Sequence, residues 1–255
     1  MDMSQLALMD SVLLLVAALA GGLLNAIAGG GSFLTFPALV YVGVPPVAAN
    51  ATGTLALLPG YLSATYAFRN HMAPPPGMSW LGVLGISALG GGLGAALLVI
   101  TPDAGFQRIV PWLLLVATVA FAASDWLLGR IYRAGRAVPA VVARAVLFGV
   151  TLYGGYFNGG VGILLLAALG LVGMRDMGMA NGAKNLVSFV LTLIAVILYA
   201  RADVLVWPLA LPMMLAGIVG GLLGGILGRR LPRRLVRAVV ILTGAIMTVV
   251  FFLKA

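Results

Sequence analysis

The sequence predicts an all-α polytopic membrane protein. It reads as two inverted repeats of about five segments each, with broken or half-length helices at the centre. Three observations predict it. The chain of 255 residues is 62% hydrophobic and only 8% charged, with a mean hydropathy of +1.15, a balance that no soluble domain shows. The stretch Asn25–Thr54 lies deep in apolar sequence, yet Gly29-Gly-Gly31 and Pro45-Pro46 break it. The same pattern then returns in the same order. Asn25 aligns with Asn158, Phe33–Gly43 with Ile163–Gly173, and Asn50 with Asn181. Two ordered copies indicate an internal duplication.

Apolar segments fall at 10–28, 33–44, 47–68, 79–100, 105–128, 139–158, 161–172, 178–200, 204–228 and 235–253. They group as an N-terminal repeat (1–128), a basic cytoplasmic linker (129–138) and a C-terminal repeat (139–255). The second and seventh segments are short. A dozen residues of helix reach about 18 Å, against a hydrocarbon core of about 30 Å. Broken backbone inside a bilayer is tolerated only where protein or a water-filled cavity satisfies it. The two breaks therefore mark the expected working site.

Orientation follows from arginine. Arg130, Arg133, Arg136 and Arg144 cluster at the centre, and Arg229, Arg230, Arg233, Arg234 and Arg237 precede the last segment. Both clusters should be cytoplasmic. They share a side if each short segment is its own pass or the return arm of a hairpin. That count puts five segments in each half, Arg69 and Arg175 inside, and both termini outside the cytoplasm. An odd count makes the halves inverted. The tail, with Asp2, Asp10 and no basic residue, suits the outside. It lacks the basic start of a cleaved signal peptide, so the first segment reads as permanent.

Several function classes lack their residues. Cysteine and glutamate are absent. The six aspartates are Asp2, Asp10, Asp103, Asp125, Asp176 and Asp203, and only Asp125 falls inside an apolar run. Cation pathways usually offer carboxylates, so their scarcity argues against cation transport. The single histidine, His71, reads as a solvated loop residue. No metal-ligand spacing, hydrolytic triad or nucleotide loop is found, and no cofactor is expected. The net charge of +9 reads as cytoplasmic arginine, not as a nucleic-acid surface.

The chemistry is expected at the breaks. A helix N-terminus carries unpaired N–H groups and about half a positive charge. Two such termini meeting near the midplane would bind an anion, with Gly30, Gly31, Ser32 and Gly162 at the starts and Ser32 as N-cap. Otherwise these glycines serve close helix packing, as Gly90-Gly-Gly92 and Gly220-Gly221 are expected to do. Asn25, Asn50, Asn158, Asn181 and Asn185 flank the breaks. Their amides can satisfy broken backbone, bind a substrate, or do both. Lys184 lies about two turns inside its segment, and its counterpart in the first half is near Gly53. A cation there marks a substrate pathway or snorkels to the surface.

Gly29-Gly-Gly-Ser-Phe-Leu-Thr-Phe-Pro37 followed by Gly43-Val-Pro-Pro-Val-Ala-Ala-Asn-Ala-Thr-Gly-Thr54 resembles the N-terminal signature of the sulfite exporter TauE/SafE family. Tyr153–Asn185 resembles the second repeat more loosely, with Met174-Arg-Asp in place of Pro-Pro. The resemblance implies export of sulfite or small organosulfonates across a bacterial inner membrane, coupled to the proton gradient. It carries site roles to Gly30, Gly31, Ser32, Asn50, Thr52, Thr54, Asn158, Gly162, Asn181, Lys184 and Asn185. The expected partners are a small anion and the lipid bilayer. Helices rich in small residues are compatible with a homodimer. The rival readings are a passive anion channel and a membrane subunit without transport.

Overall fold

A computed structural model describes residues 8–27, 29–123, 126, 129–130, 138–227 and 233–254. It contains ten α-helices and no strand among those residues: α1 (Leu8–Ile27), α2 (Ser32–Tyr41), α3 (Pro46–Phe68), α4 (Trp80–Ile100), α5 (Asp103–Ala122), α6 (Ala140–Tyr156), α7 (Val161–Leu171), α8 (Met177–Arg201), α9 (Trp207–Leu227) and α10 (Arg233–Lys254). Each of the ten expected segments is found, with ends shifted by a few residues. Five helices, α1, α4, α5, α8 and α9, are long and apolar enough to cross a membrane. His71 closes a short 3-10 turn after α3. Arg133, Arg136, Arg229, Arg230, Asp2 and Asp125 lie outside the described residues.

The short helices α2 and α7 have 10 and 11 residues. At about 1.5 Å per residue neither reaches across a hydrocarbon core. Both end alike. Gly43 and Gly173 take left-handed backbone (φ 88° and 97°), and the next N–H reaches back five residues, Val44 to Leu39 and Met174 to Leu169, each at 3.0 Å. This is the glycine-terminated helix end that L side chains resist.

Contacts between helices follow one rule in both halves. In the first half α1, α2 and α3 pack together, and in the second α6, α7 and α8 do. The fourth helix of each half crosses over: α4 packs on α6 and α8, while α9 packs on α1 and α3. Helices α5 and α10 pair, as do α3 and α8. Small residues permit the crossings. A Cβ on Gly90, Gly94 or Gly155 would run into the backbone or side chain of the facing helix, and so would one on Gly22, Gly220 or Gly221. With lipid on the outside, such close backbone approach is what holds helices together. Of the glycines expected to serve packing, Gly90, Gly91, Gly220 and Gly221 sit where a Cβ would collide, while one on Gly92 would meet only the Ile194 side chain, at 3.2 Å.

Phe36 of α2 seats the breaks on the α5–α10 pair. Its ring stacks on Phe251 at 5.4 Å and meets Phe106 and Phe157 edge-on at 6.5 and 5.7 Å. Edge-to-face pairs of this kind stabilise by about 1 kcal/mol beyond the area they bury.

Candidate functional site

The two breaks touch. A Cβ placed on Gly29 would lie 2.4 Å from the Gly162 Cα, and one on Gly162 would lie 2.4 Å from the Gly29 Cα. No other residue type fits at this crossing. Gly29 also has φ 80°, and Gly160, at the start of α7, has φ 72°. The starts of α2 and α7 are thereby brought together at the centre of the protein.

The first break is clamped from within. The Gly31 N–H donates to Asn25 Oδ1 at 2.8 Å, so the end of α1 satisfies the start of α2. Ser32 was expected as the N-cap, but Gly31 takes that position and Ser32 is the first helical residue. Asn25 already supplies the cap oxygen, and the buried Ser32 hydroxyl has no partner. The Gly29 N–H turns to the Leu24 carbonyl instead of the Asn25 carbonyl. Lys184 donates to that Asn25 carbonyl at 3.0 Å, across 159 positions of chain.

The second break is clamped both by its own helix and from outside. The Tyr153 hydroxyl donates to the Gly159 carbonyl at 2.8 Å, and Tyr199 donates to the Gly155 carbonyl at 2.5 Å. Asn50, from the first half, donates to the Tyr156 carbonyl at 3.1 Å. Asn158 looks away from its own break. Its Oδ1 accepts the Tyr61 hydroxyl at 3.0 Å, and its Nδ2 makes a long contact of 3.5 Å to Thr192.

One face of α8 is polar and buried. At roughly 100° per residue, Lys184, Ser188, Asn181, Thr192 and Asn185 share an arc of roughly 100°. Lys184, Asn185, Ser188 and Thr192 are 0% exposed, and Asn181 is half-buried. Asn185 Nδ2 and Oδ1, Asn181 Oδ1 and Ser188 Oγ have no hydrogen-bond partner. Buried amides without partners are rare in folded proteins. The described aspartates are all at helix ends: Asp10 and Asp103 in the first turns of α1 and α5, Asp176 capping Met179 of α8, and Asp203 in the turn after α8. The buried Lys184 amine therefore has the Asn25 carbonyl as its partner and no described carboxylate.

The sequence-predicted residues separate into two groups. Asn25, Gly30, Gly31, Ser32, Asn158 and Gly162 belong to the two breaks. Asn181, Lys184 and Asn185 line the polar face of α8, whose Lys184 reaches the first break. Asn50 and Thr54 lie on one arc of α3. Thr52, two residues past Asn50, points roughly 200° away. Its hydroxyl accepts the Val206 N–H at 3.1 Å, at the joint before α9. Tyr61, Ser188 and Thr192 were not anticipated. Their signal was helical spacing: Ser188 and Thr192 continue the Asn181–Asn185 stripe, and Tyr61 continues the Asn50–Thr54 stripe.

A family model described as sulfite exporter TauE/SafE matches residues 13–251. The chain is similar to "Probable membrane transporter protein ORF9" of Sinorhizobium sp, with 31% identity over 185 residues, 72% of this chain and 69% of that protein. It is also similar to a "Probable membrane transporter protein" of Haemophilus influenzae, with 33% identity over 178 residues, 67% of this chain and 69% of the relative. No solved structure matches it.

Proposed function

Since this chain belongs to the sulfite exporter TauE/SafE family, a family of membrane transporters, we propose that it exports a small anion such as sulfite or an organosulfonate by alternating access. One observation carries the reading: two helix starts cross at Gly29 and Gly162 beside a buried lysine with no described carboxylate near it. Helix starts and an ammonium favour negative charge, and burial strengthens both. The binding set comprises those N–H groups at the two breaks that the protein does not already satisfy (Gly31 donates to Asn25 and Gly29 to Leu24), together with Lys184 and the amides of α8. The exchange of α4 and α9 between halves supports an inverted repeat. In that arrangement the halves rock about a site they share. The Lys184–Asn25 and Tyr61–Asn158 bonds, each joining one half to the other, would remake as they do.

On this reading the protein sits in a bacterial inner membrane with both termini outside the cytoplasm. The chain has no cysteine, so single cysteines at Ala134 and Ser4 would report sidedness to an impermeant thiol reagent. Labelling of Ala134→Cys from the cytoplasm, and of Ser4→Cys from the outside, is the expected result.

The functional test is flux of labelled sulfite and methanesulfonate in oriented proteoliposomes, with and without an imposed pH gradient. Saturable, gradient-dependent flux is expected. Saturable flux indifferent to the gradient would make the protein a uniporter, and non-saturating flux a channel. Absence of flux for every oxyanion would overturn the reading.

A further inference from the structure

The unpaired atoms of α8 carry information about the substrate's protonation. Asn185 is fully buried with both ends of its amide unpaired, a donor at Nδ2 and an acceptor at Oδ1. Turning the amide over changes nothing, because both ends lack partners. Asn181 Oδ1, one turn earlier, is a second unpaired acceptor, and Ser188 Oγ, one turn later, is unpaired too. Residues three and four apart on a helix are neighbours, so these groups and Lys184 form one continuous polar patch.

A fully ionised oxyanion offers acceptors only. It could satisfy Lys184, Asn185 Nδ2 and Ser188, but it would press lone pairs against the two amide oxygens. The patch also has a single amine, Lys184, and so offers at most one positive charge. A dianion would leave one negative charge uncompensated in a buried, low-dielectric place, which is costly. A monoanion bearing an O–H group answers both conditions. We propose that this patch takes its substrate as a singly protonated monoanion, hydrogen sulfite in preference to the sulfite dianion. The substrate O–H donates to Asn185 Oδ1, with Asn181 Oδ1 as the alternative acceptor. The remaining substrate oxygens accept from Asn185 Nδ2, Ser188 Oγ and Lys184. This inference rests on the small-oxyanion reading given above. It also identifies a proton carrier. The chain has no glutamate, and its described aspartates lie at helix ends, so beside Lys184 it is the substrate itself that can carry a proton through this patch.

On α8 itself the groups that titrate or carry charge are Lys184, Tyr199 and Arg201. On elements packed against it they are Tyr61 and Tyr66 of α3, Arg69 and His71 of the turn after α3, and Arg144, Tyr153 and Tyr156 of α6. Helices α4 and α7 contribute no ionisable residue, and the one acidic residue of α1, Asp10, is in its first turn. Methanesulfonate remains a monoanion without an O–H group at every relevant pH. Its flux therefore records whatever the protein does with pH, Lys184 included, and the ratio of sulfite flux to methanesulfonate flux isolates the substrate's own proton.

The experiment measures that ratio in proteoliposomes with equal pH on both sides, at several pH values above sulfite's second ionisation, with protein-free vesicles subtracted. The expected ratio falls about tenfold per pH unit, following the protonated fraction. In Asn185→Leu the slope flattens. Should Asn185→Leu fail to fold, Asn181→Leu, at the more exposed end of the patch, is expected to make the slope shallower. A wild-type ratio that is flat or rises with pH would overturn the inference and leave anion transport standing. A slope unchanged in the folded variant would overturn the assignment to these amides. Flux of neither anion at any pH would overturn both this inference and the function it rests on.

Discussion

The two breaks share a sequence pattern but are held in different ways. The first is closed by its own asparagine: Asn25 Oδ1 takes the Gly31 N–H, and Lys184 holds the Asn25 carbonyl. The second is closed by Tyr153, Tyr199 and Asn50, while its own Asn158 faces Tyr61. The short helix ended by a left-handed glycine occurs twice, at Gly43 and Gly173, while the buried lysine occurs once among the described residues. The counterpart of Lys184 has no room for a lysine: a Cβ on Gly53 would already sit 3.1 Å from Thr35 Oγ1. A site with one cation on one side binds an anion asymmetrically, which suits a carrier whose two faces have different tasks.

The largest expected effect tests the crossing that both breaks share. Gly29→Ala adds a methyl into the Gly162 backbone and asks alanine to hold φ 80°. Overpacking costs about 1–3 kcal/mol, and left-handed backbone about 1–2 more. Gly162→Ala meets the same clash, while its φ is outside the left-handed region. Gly29→Ala should therefore melt lower in detergent than Gly162→Ala, and both lower than wild type. Equal melting temperatures would show that the first break relaxes and that the two are mechanically equivalent.

Next comes the charge asymmetry. Lys184→Met keeps the length of the side chain and removes the cation. Charge-assisted hydrogen bonds contribute about 1.5–3 kcal/mol, which is roughly a ten- to hundredfold loss of sulfite flux. The variant should remain folded, because a thioether is at ease where an ammonium was buried. Wild-type flux in Lys184→Met would make Lys184 a clamp on the Asn25 carbonyl and nothing more.

Why the elements were readable and their partners were not follows from the range of the interactions. Helix ends at Gly43, Gly173 and Pro46 are local: a left-handed glycine or a proline at the start of a helix sets them within a few residues. All ten segments were legible on that basis. The alignment of Asn25 with Asn158 rests on the sequence pattern alone, which needs no knowledge of any contact. The hydrogen bonds are not local. Lys184 to Asn25 spans 159 positions, Asn50 to Tyr156 spans 106 and Tyr61 to Asn158 spans 97. No spacing rule reaches that far. Hence Asn158 was expected to serve its own break and instead faces the other half. Tyr61, Ser188 and Thr192 were within reach of a helical-arc reading of α3 and α8, but mean hydropathy hid them because each stands alone among apolar neighbours.

A smaller effect separates the two asparagines. Asn25→Leu strands the Gly31 N–H in the buried interior, and a buried donor left unpaired costs about 1–3 kcal/mol. Asn158→Leu strands only the Tyr61 and Thr192 hydroxyls, and these can rotate toward other acceptors. Asn25→Leu should therefore lose more thermal stability than Asn158→Leu. The reverse order would mean that the contact across the halves, not the local clamp, holds the breaks together.

The smallest expected effect concerns Thr52. It neighbours the Asn50–Thr54 arc in sequence, but its hydroxyl serves the joint before α9. Thr52→Val keeps the shape and removes one hydrogen bond to a backbone N–H, at a cost of about 1 kcal/mol. Stability should fall by that much, while sulfite flux per folded molecule stays at the wild-type level. Thr54→Val provides the contrast, because Thr54 shares the arc of Asn50 and Tyr61, which reach Tyr156 and Asn158 at the second break. If flux falls in Thr52→Val and not in Thr54→Val, the working face of α3 is the opposite one. The polar patch of α8 would then lack a partner surface in the first half, and the asymmetry between the breaks would have to be explained without a substrate between them.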